Sequence, residues 1–121
     1  MHLENFQLKE LQKVVASGKT RSESWRKKQL TKLLMLLSNH EKEILEALSK
    51  DLKKPPTEAF FEIIAIKQEI KLVQKNLSQW IQTKQINVPV SLRPARASII
   101  PDPLGCILII GPWNYPFSLT L

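Results

Sequence analysis

The residues with the most chemical potential sit near the end of the chain, in Pro112-Trp113-Asn114-Tyr115-Pro116-Phe117. Asn114 leads them. A primary carboxamide donates hydrogen bonds without ionising, which suits it to stabilise a developing oxyanion in a dry site. The same Asn also fits a plain turn or a helix N-cap, and spacing alone leaves both roles open. Trp113, Tyr115 and Phe117 read first as packing groups and second as walls of a pocket.

Other chemistries find little support. The one cysteine, Cys106, falls in an apolar stretch where a free Cys behaves as a small hydrophobe, and no His is near it in sequence. It therefore reads as a packing residue rather than a thiolate nucleophile. His2 stands at the N-terminus and His40 at a helix start, and neither makes metal-ligand spacing with Cys106. Gly18, Gly105 and Gly111 are isolated, so no phosphate-cradling loop is present. Paired carboxylates are absent from the site region, which holds Asp102 alone.

A single cysteine excludes an internal disulfide and is compatible with a reducing compartment. No secretory pattern opens the chain, and no apolar run approaches the roughly 20 residues of a membrane span. A soluble cytoplasmic protein with no membrane segment is the expectation. The net charge of +7 is concentrated in the first 54 residues, which hold 12 basic and 7 acidic side chains. Most of the positives share helical stretches with Glu, and only Arg26-Lys27-Lys28 is compact. A solvated helix face explains this better than a polyanion-binding surface, so no nucleic-acid partner is expected.

Several elements must position the terminal motif. Up to about residue 84 the chain reads as helix. Leu8, Leu11 and Val15 form a first stripe that ends before Gly18, a natural left-handed stop. Thr20-Arg21-Ser22-Glu23 fits a capping box with Thr20 as cap. The next helix carries Leu30, Leu33, Leu34 and Leu37. Asn39 is positioned to cap a third, with Leu45, Leu48 and Leu52 flanked by Ile44, which Pro55-Pro56 terminates. From Thr57 to about Gln82, Ile63, Ile66, Ile70, Val73, Leu77 and Trp80 alternate spacings of three and four. That seam permits a coiled-coil dimer, but Phe60, Phe61, Ile64 and Ile81 broaden it into the stripe of a helix lying on a core.

Six of the eight prolines follow residue 87. The chain accordingly divides into a helical N-terminal segment, 1–87, and a segment 88–121 that is extended. In the second, Ser98-Ile99-Ile100 is a strand candidate. Asp102-Pro103-Leu104-Gly105 is a tight turn into Cys106–Ile110, which reads as a strand buried on both faces of a parallel sheet. Asn114 would then lie at that strand's carboxyl end, where open α/β sheets place their ligand crevice. Nothing in the chain can pair with both edges of the strand, so the sheet reads as unfinished.

Pro103-Leu104-Gly105, Ile107–Ile110 and Trp113-Asn114-Tyr115-Pro116-Phe117 together resemble the N-terminal region of NAD(P)-dependent aldehyde dehydrogenases, nearest to the class 3, fatty-aldehyde-type branch. Ser17-Gly18-Lys19-Thr20-Arg21, Leu48-Ser49-Lys50-Asp51-Leu52-Lys53-Lys54 and Glu58-Ala59 look like that branch's opening helices. The resemblance implies an α/β fold, helices leading into the first strands of a Rossmann-like cofactor domain that is incomplete here. It implies that Asn114 is the amide that holds the thiohemiacetal oxyanion. Ile110, Gly111, Pro112 and Trp113 match the stretch that touches the nicotinamide-ribose side of NAD or NADP, and Tyr115 matches a position lining the aldehyde tunnel. A homodimer is implied for the complete enzyme.

The family's nucleophilic Cys and general-base Glu have no counterpart in these residues, and Cys106 does not match the nucleophile. The expectation is an N-terminal part of an aldehyde dehydrogenase, inactive by itself. The alternative is a non-catalytic helical interaction module, or a remnant that pairs with a full-length relative.

Overall fold

The computed structural model describes residues 2–121, with side-chain surroundings from Gln7 onward, so the side chain of His2 lies outside the described part. Four helices come first: α1 (His2–Ala16), α2 (Glu23–Asn39), α3 (Glu41–Leu52) and α4 (Pro56–Trp80). At 25 residues, α4 is the longest and runs for about 38 Å. It opens with Pro56 in its first turn, where a missing N–H leaves no bond unmade and the fixed φ already suits a helix.

Helices α2 and α3 pack on α4 and give its seam a partner within the chain. Ile63, Ile66, Ile70 and Leu77 are buried and Val73 is half-buried, while Trp80 at the end remains largely exposed. The apolar stripe is thus consumed by the chain's own helices, and the coiled-coil alternative lapses. Leu37, Ile66 and Ile70 make the centre of the core, ringed by Leu30, Leu33, Leu34, Ile44 and, from the far end of the chain, Phe117.

Polar ties fix the helices in register. Glu41 of α3 receives Lys67 of α4 at 2.6 Å, and Thr31 of α2 accepts from Gln74 at 2.9 Å. Where α2 begins, Glu23 accepts from Ser78 Oγ at 2.5 Å and pairs with Lys27 at 2.8 Å. The Lys27 hydrogen bond, then the Ser78 hydrogen bond, hold the Glu23 carboxyl below the usual carboxylate range against a smaller opposing effect of desolvation.

Both expected caps lie elsewhere. Thr20 sits inside a short 3-10 turn, Lys19–Arg21, and its carbonyl accepts from Arg26 Nε at 2.7 Å. Ser22 is the N-cap of α2 instead, its hydroxyl accepting from Trp25 N–H at 3.3 Å, because the 3-10 turn brings the chain into extended geometry at that residue. Likewise α2 continues through Asn39 and hands over to α3 at His40, whose Nδ1 lies 2.5 Å from Glu43 Oε2. Gly18 ends α1 with φ 75°, as expected, and Lys53 closes α3 in the same left-handed region at φ 52°.

After α4 the chain forms a two-stranded antiparallel hairpin. Strand β1 (Lys84–Ile86) pairs with β2 (Ala97–Ile99) in the register Lys84 with Ile99 and Ile86 with Ala97. The strand expected at Ser98–Ile100 is therefore present one residue earlier, and β1 was not anticipated.

The segment Cys106–Ile110 is a correction. It forms no ladder and is exposed, with Leu108 and Ile110 each 85% accessible and Cys106 also exposed. A strand exists through its pairing, and among the described residues none lies beside this one. The expectation that Cys106 is a buried packing residue falls with it. The chain bends at Gly105, where φ is 88°, rather than in a hydrogen-bonded turn.

Candidate functional site

Asn114 lies on the exposed bend that leads into the last residues of the chain. Its Oδ1 accepts the N–H of Tyr115 at 3.1 Å. That bond fixes the face of the amide. The carbonyl end is turned back onto the chain, and among the described residues no acceptor engages Nδ2, which leaves the donor end open. Beyond it, Pro116 starts helical turns in which Leu119 N–H donates to Tyr115 O at 3.2 Å and Leu121 N–H to Phe117 O at 3.3 Å.

What holds this bend is a group of charged residues from the α3–α4 corner. Glu62, 3% exposed, and Lys54, 8% exposed, form an ion pair between Lys54 Nζ and Glu62 Oε1. The second carboxylate oxygen, Oε2, accepts the backbone N–H groups of Phe117 at 3.3 Å and Ser118 at 3.1 Å. A carboxylate at the start of a helical turn faces N–H groups that have no partner inside the turn, which is where a negative charge is best placed. Lys54 Nζ also stands 3.8 Å from the centre of the Tyr115 ring, a cation–π contact, and 3.8 Å from Glu58. The Tyr115 hydroxyl donates to Glu58 Oε1 at 3.1 Å. Tyr115 is thus held at its backbone, its face and its hydroxyl.

Two spaces flank the bend. A cleft of about 270 Å³ lies between Tyr115 and α4, bordered by Glu58 and Phe61. On the other side, Trp113, Pro116 and Phe117 close an apolar hollow of about 400 Å³ against Ile44, Leu48 and Leu52. Ile110, Gly111, Pro112 and Trp113 run into Asn114 as one exposed stretch. A side chain at Gly111 would place its Cβ 2.1 Å from Thr120 Oγ1, so the chain folds back there with the Thr120 side chain against the glycine, and any larger residue would force that hydroxyl to turn away.

The structure therefore brings Tyr115 and Asn114 together on one bend and leaves Ile110–Trp113 as the approach to it. Lys54, Glu58 and Glu62 were not anticipated as site residues. No cluster of three metal-ligating side chains occurs among the described residues.

The sequence profile described as "Aldehyde dehydrogenase family" matches residues 6–121. An aldehyde dehydrogenase of Craterostigma plantagineum is 42% identical over 112 residues, which are 92% of this chain and 23% of that protein. Aldehyde dehydrogenase family 3 member H1 of Arabidopsis thaliana is 40% identical over 113 residues, 93% of this chain and 23% of its own. The 4,4'-diaponeurosporen-aldehyde dehydrogenase of Staphylococcus aureus is 42% identical over 102 residues. Among solved structures, that of Staphylococcus aureus AldH in a substrate-bound state superposes with a TM-score of 0.94 at 36% identity, covering 98% of this chain and 26% of that one.

The chain belongs to the aldehyde dehydrogenase family, and its relatives include members of family 3, as the class 3 resemblance anticipates. It spans about a quarter of the length of the curated relatives it matches, and its fold is the corresponding, incomplete portion of an aldehyde dehydrogenase.

Proposed function

We propose that this chain is the N-terminal part of an NAD(P)-dependent aldehyde dehydrogenase that oxidises aldehydes to carboxylic acids, with Asn114 as oxyanion donor. The observation that carries the reading is the Asn114 amide, anchored through Oδ1 with Nδ2 open, within a motif that the family resemblance assigns to oxyanion binding. When a cysteine thiolate adds to the aldehyde carbon, the carbonyl oxygen gains negative charge. A preset N–H donor stabilises that oxygen more than the neutral carbonyl, and so lowers the barrier.

In this reading residues 1–87 form the helical platform and 88–121 open the cofactor domain. Tyr115, beside its cleft, lines the aldehyde path. Ile110, Gly111, Pro112 and Trp113 would hold the nicotinamide-ribose side of the cofactor. Their exposed stretch fits a flat ligand laid against the chain. NAD or NADP, when bound, supplies the hydride acceptor. A cytoplasmic homodimer belongs to the same reading; among the described residues no helix is long and apolar enough to cross a membrane.

The test is aldehyde-dependent reduction of NAD or NADP by the protein isolated from its source with its intact mass determined. Asn114→Ala is expected to lower kcat by roughly 10²–10³-fold. Undiminished turnover in that variant overturns the role. The 121-residue polypeptide alone is expected to give no turnover.

A further inference from the structure

We infer that Glu62 is a positioning residue for Asn114, acting through the backbone of the turn that follows it; this rests on the oxyanion reading of Asn114. Glu62 is one of two polar residues among the buried set, and the other, Lys54, is its ion partner. An ion pair alone would need one carboxylate oxygen. Glu62 commits the second to Phe117 and Ser118 N–H, fixing the backbone two residues beyond Tyr115. Pro116, with its φ locked by its ring, is the single residue between that anchor and Tyr115. Tyr115 N–H in turn holds Asn114 Oδ1. The line from Glu62 to the Asn114 carboxamide therefore passes through bonded or stiff links only.

Lys54 completes the device by charge. A bare buried carboxylate near Asn114 would oppose a forming oxyanion; the Lys54 ammonium offsets the charge of Glu62. Glu58 and Tyr115 are the other titratable groups facing this pair, and both are engaged with Lys54 or with each other.

The decisive measurements use ¹⁵N-resolved NMR of the 121-residue chain and kinetics of the catalytically complete protein, with Glu62→Gln and the charge-free double variant Lys54→Met/Glu62→Gln. The Phe117 and Ser118 amide protons are expected downfield in the native chain, where both donate to one carboxylate oxygen. Both variants should move the two amide protons upfield and the Asn114 side-chain amide pair towards the position of a free carboxamide. Resonances of Trp25 and Leu77, at the ends of α2 and α4 remote from Phe117, should remain in place in the double variant, which separates repositioning from unfolding. An Asn114 side-chain signal unmoved in the double variant overturns the inference, as do Phe117 and Ser118 amide protons that stay in place in both variants.

In kinetics, Glu62→Gln should lower kcat by roughly tenfold to a hundredfold with KM little changed. Full kcat in Glu62→Gln beside a crippled Asn114→Ala overturns the positioning role and leaves the oxyanion reading standing. Full kcat in both removes the oxyanion reading, and the NMR result then decides the geometry by itself.

Discussion

Glu62 and Ser118 are 56 positions apart in sequence, yet buried Glu62 Oε2 accepts the N–H of half-buried Ser118 at 3.1 Å. Few other contacts anchor the end of the chain to the helices, apart from Phe117 against the core and the Tyr115–Glu58 bond. Hydrogen bonds to an ionised acceptor are worth about 1.5–3 kcal/mol each when formed, and leaving the charge unpaired is worse than never having it.

That asymmetry predicts opposite behaviour for single and double substitutions. Glu62→Gln strands the Lys54 ammonium in a buried site and should destabilise the chain by about 3–5 kcal/mol. Lys54→Met/Glu62→Gln should recover a large part of the loss, since no charge is then left without a partner. Urea unfolding of the two variants and of Lys54→Met forms the required cycle, and equal losses in single and double variants would contradict it.

Ser22→Ala should cost about 1 kcal/mol, because it removes the acceptor for Trp25 N–H at the start of α2. Thr20→Ala should have a smaller effect, since the tie to Arg26 uses the Thr20 backbone carbonyl, which survives the change. Thermal unfolding of the two variants side by side discriminates the cap seen here from the capping box read in the sequence.

Acid sensitivity should carry the mark of Glu23. Its carboxyl is held below the ordinary range by Lys27 and Ser78, so the folded state binds this proton less readily than the unfolded chain does. The resulting stabilisation is complete above the unfolded carboxylate pKa and disappears as pH falls through the lower, folded value. Glu23→Gln should therefore narrow the stability difference between neutral and acidic solution. Denaturant midpoints measured across that range, with an unchanged acid profile in the variant, would refute the linkage.

Asn114→Asp gives a sharper view of the amide than truncation does. The carboxylate retains an acceptor for Tyr115 N–H, so the bend keeps its shape, while the donor at the second position is lost. In the catalytically complete protein, activity at neutral pH should fall at least as far as in Asn114→Ala. A variant with near-normal kcat would show that the donor plays no part in the reaction.

Helix positions were legible because burial imposes a period. The Ile63–Leu77 stripe could be read directly, and its match to α2 and α3 follows from its breadth. The caps were misplaced by one or two residues: the 3-10 turn at Lys19–Arg21 passes the start of α2 from Thr20 to Ser22, and α2 runs on through Asn39 so that α3 starts after His40 with no side-chain cap. Asn114, Tyr115 and the 110–113 stretch are proposed as site residues from the motif. Glu62 was missed because an acid on a helix usually means solvent. One signal was available: Glu62 stands three positions after Ala59 and four before Ile66, on the side of α4 that is buried. The failure of Cys106–Ile110 as a strand has the opposite origin, since its composition records a pairing that these 121 residues cannot supply.

The bare Cys106–Ile110 run also has a consequence in time. Synthesis proceeds at about 5–20 residues per second, so the helices are complete before this uncharged, β-prone pentapeptide leaves the ribosome. It then waits with both edges open, able to template onto any unpaired strand, including its own copy on a neighbouring polysome. Pro101, Asp102 and Pro103 stand just upstream of it, separated by Leu104 and Gly105, and Gly111-Pro112 directly after. Residues that cannot extend a ladder thus bracket the hazard on both sides, as gatekeepers of a segment that must stay adhesive to be useful.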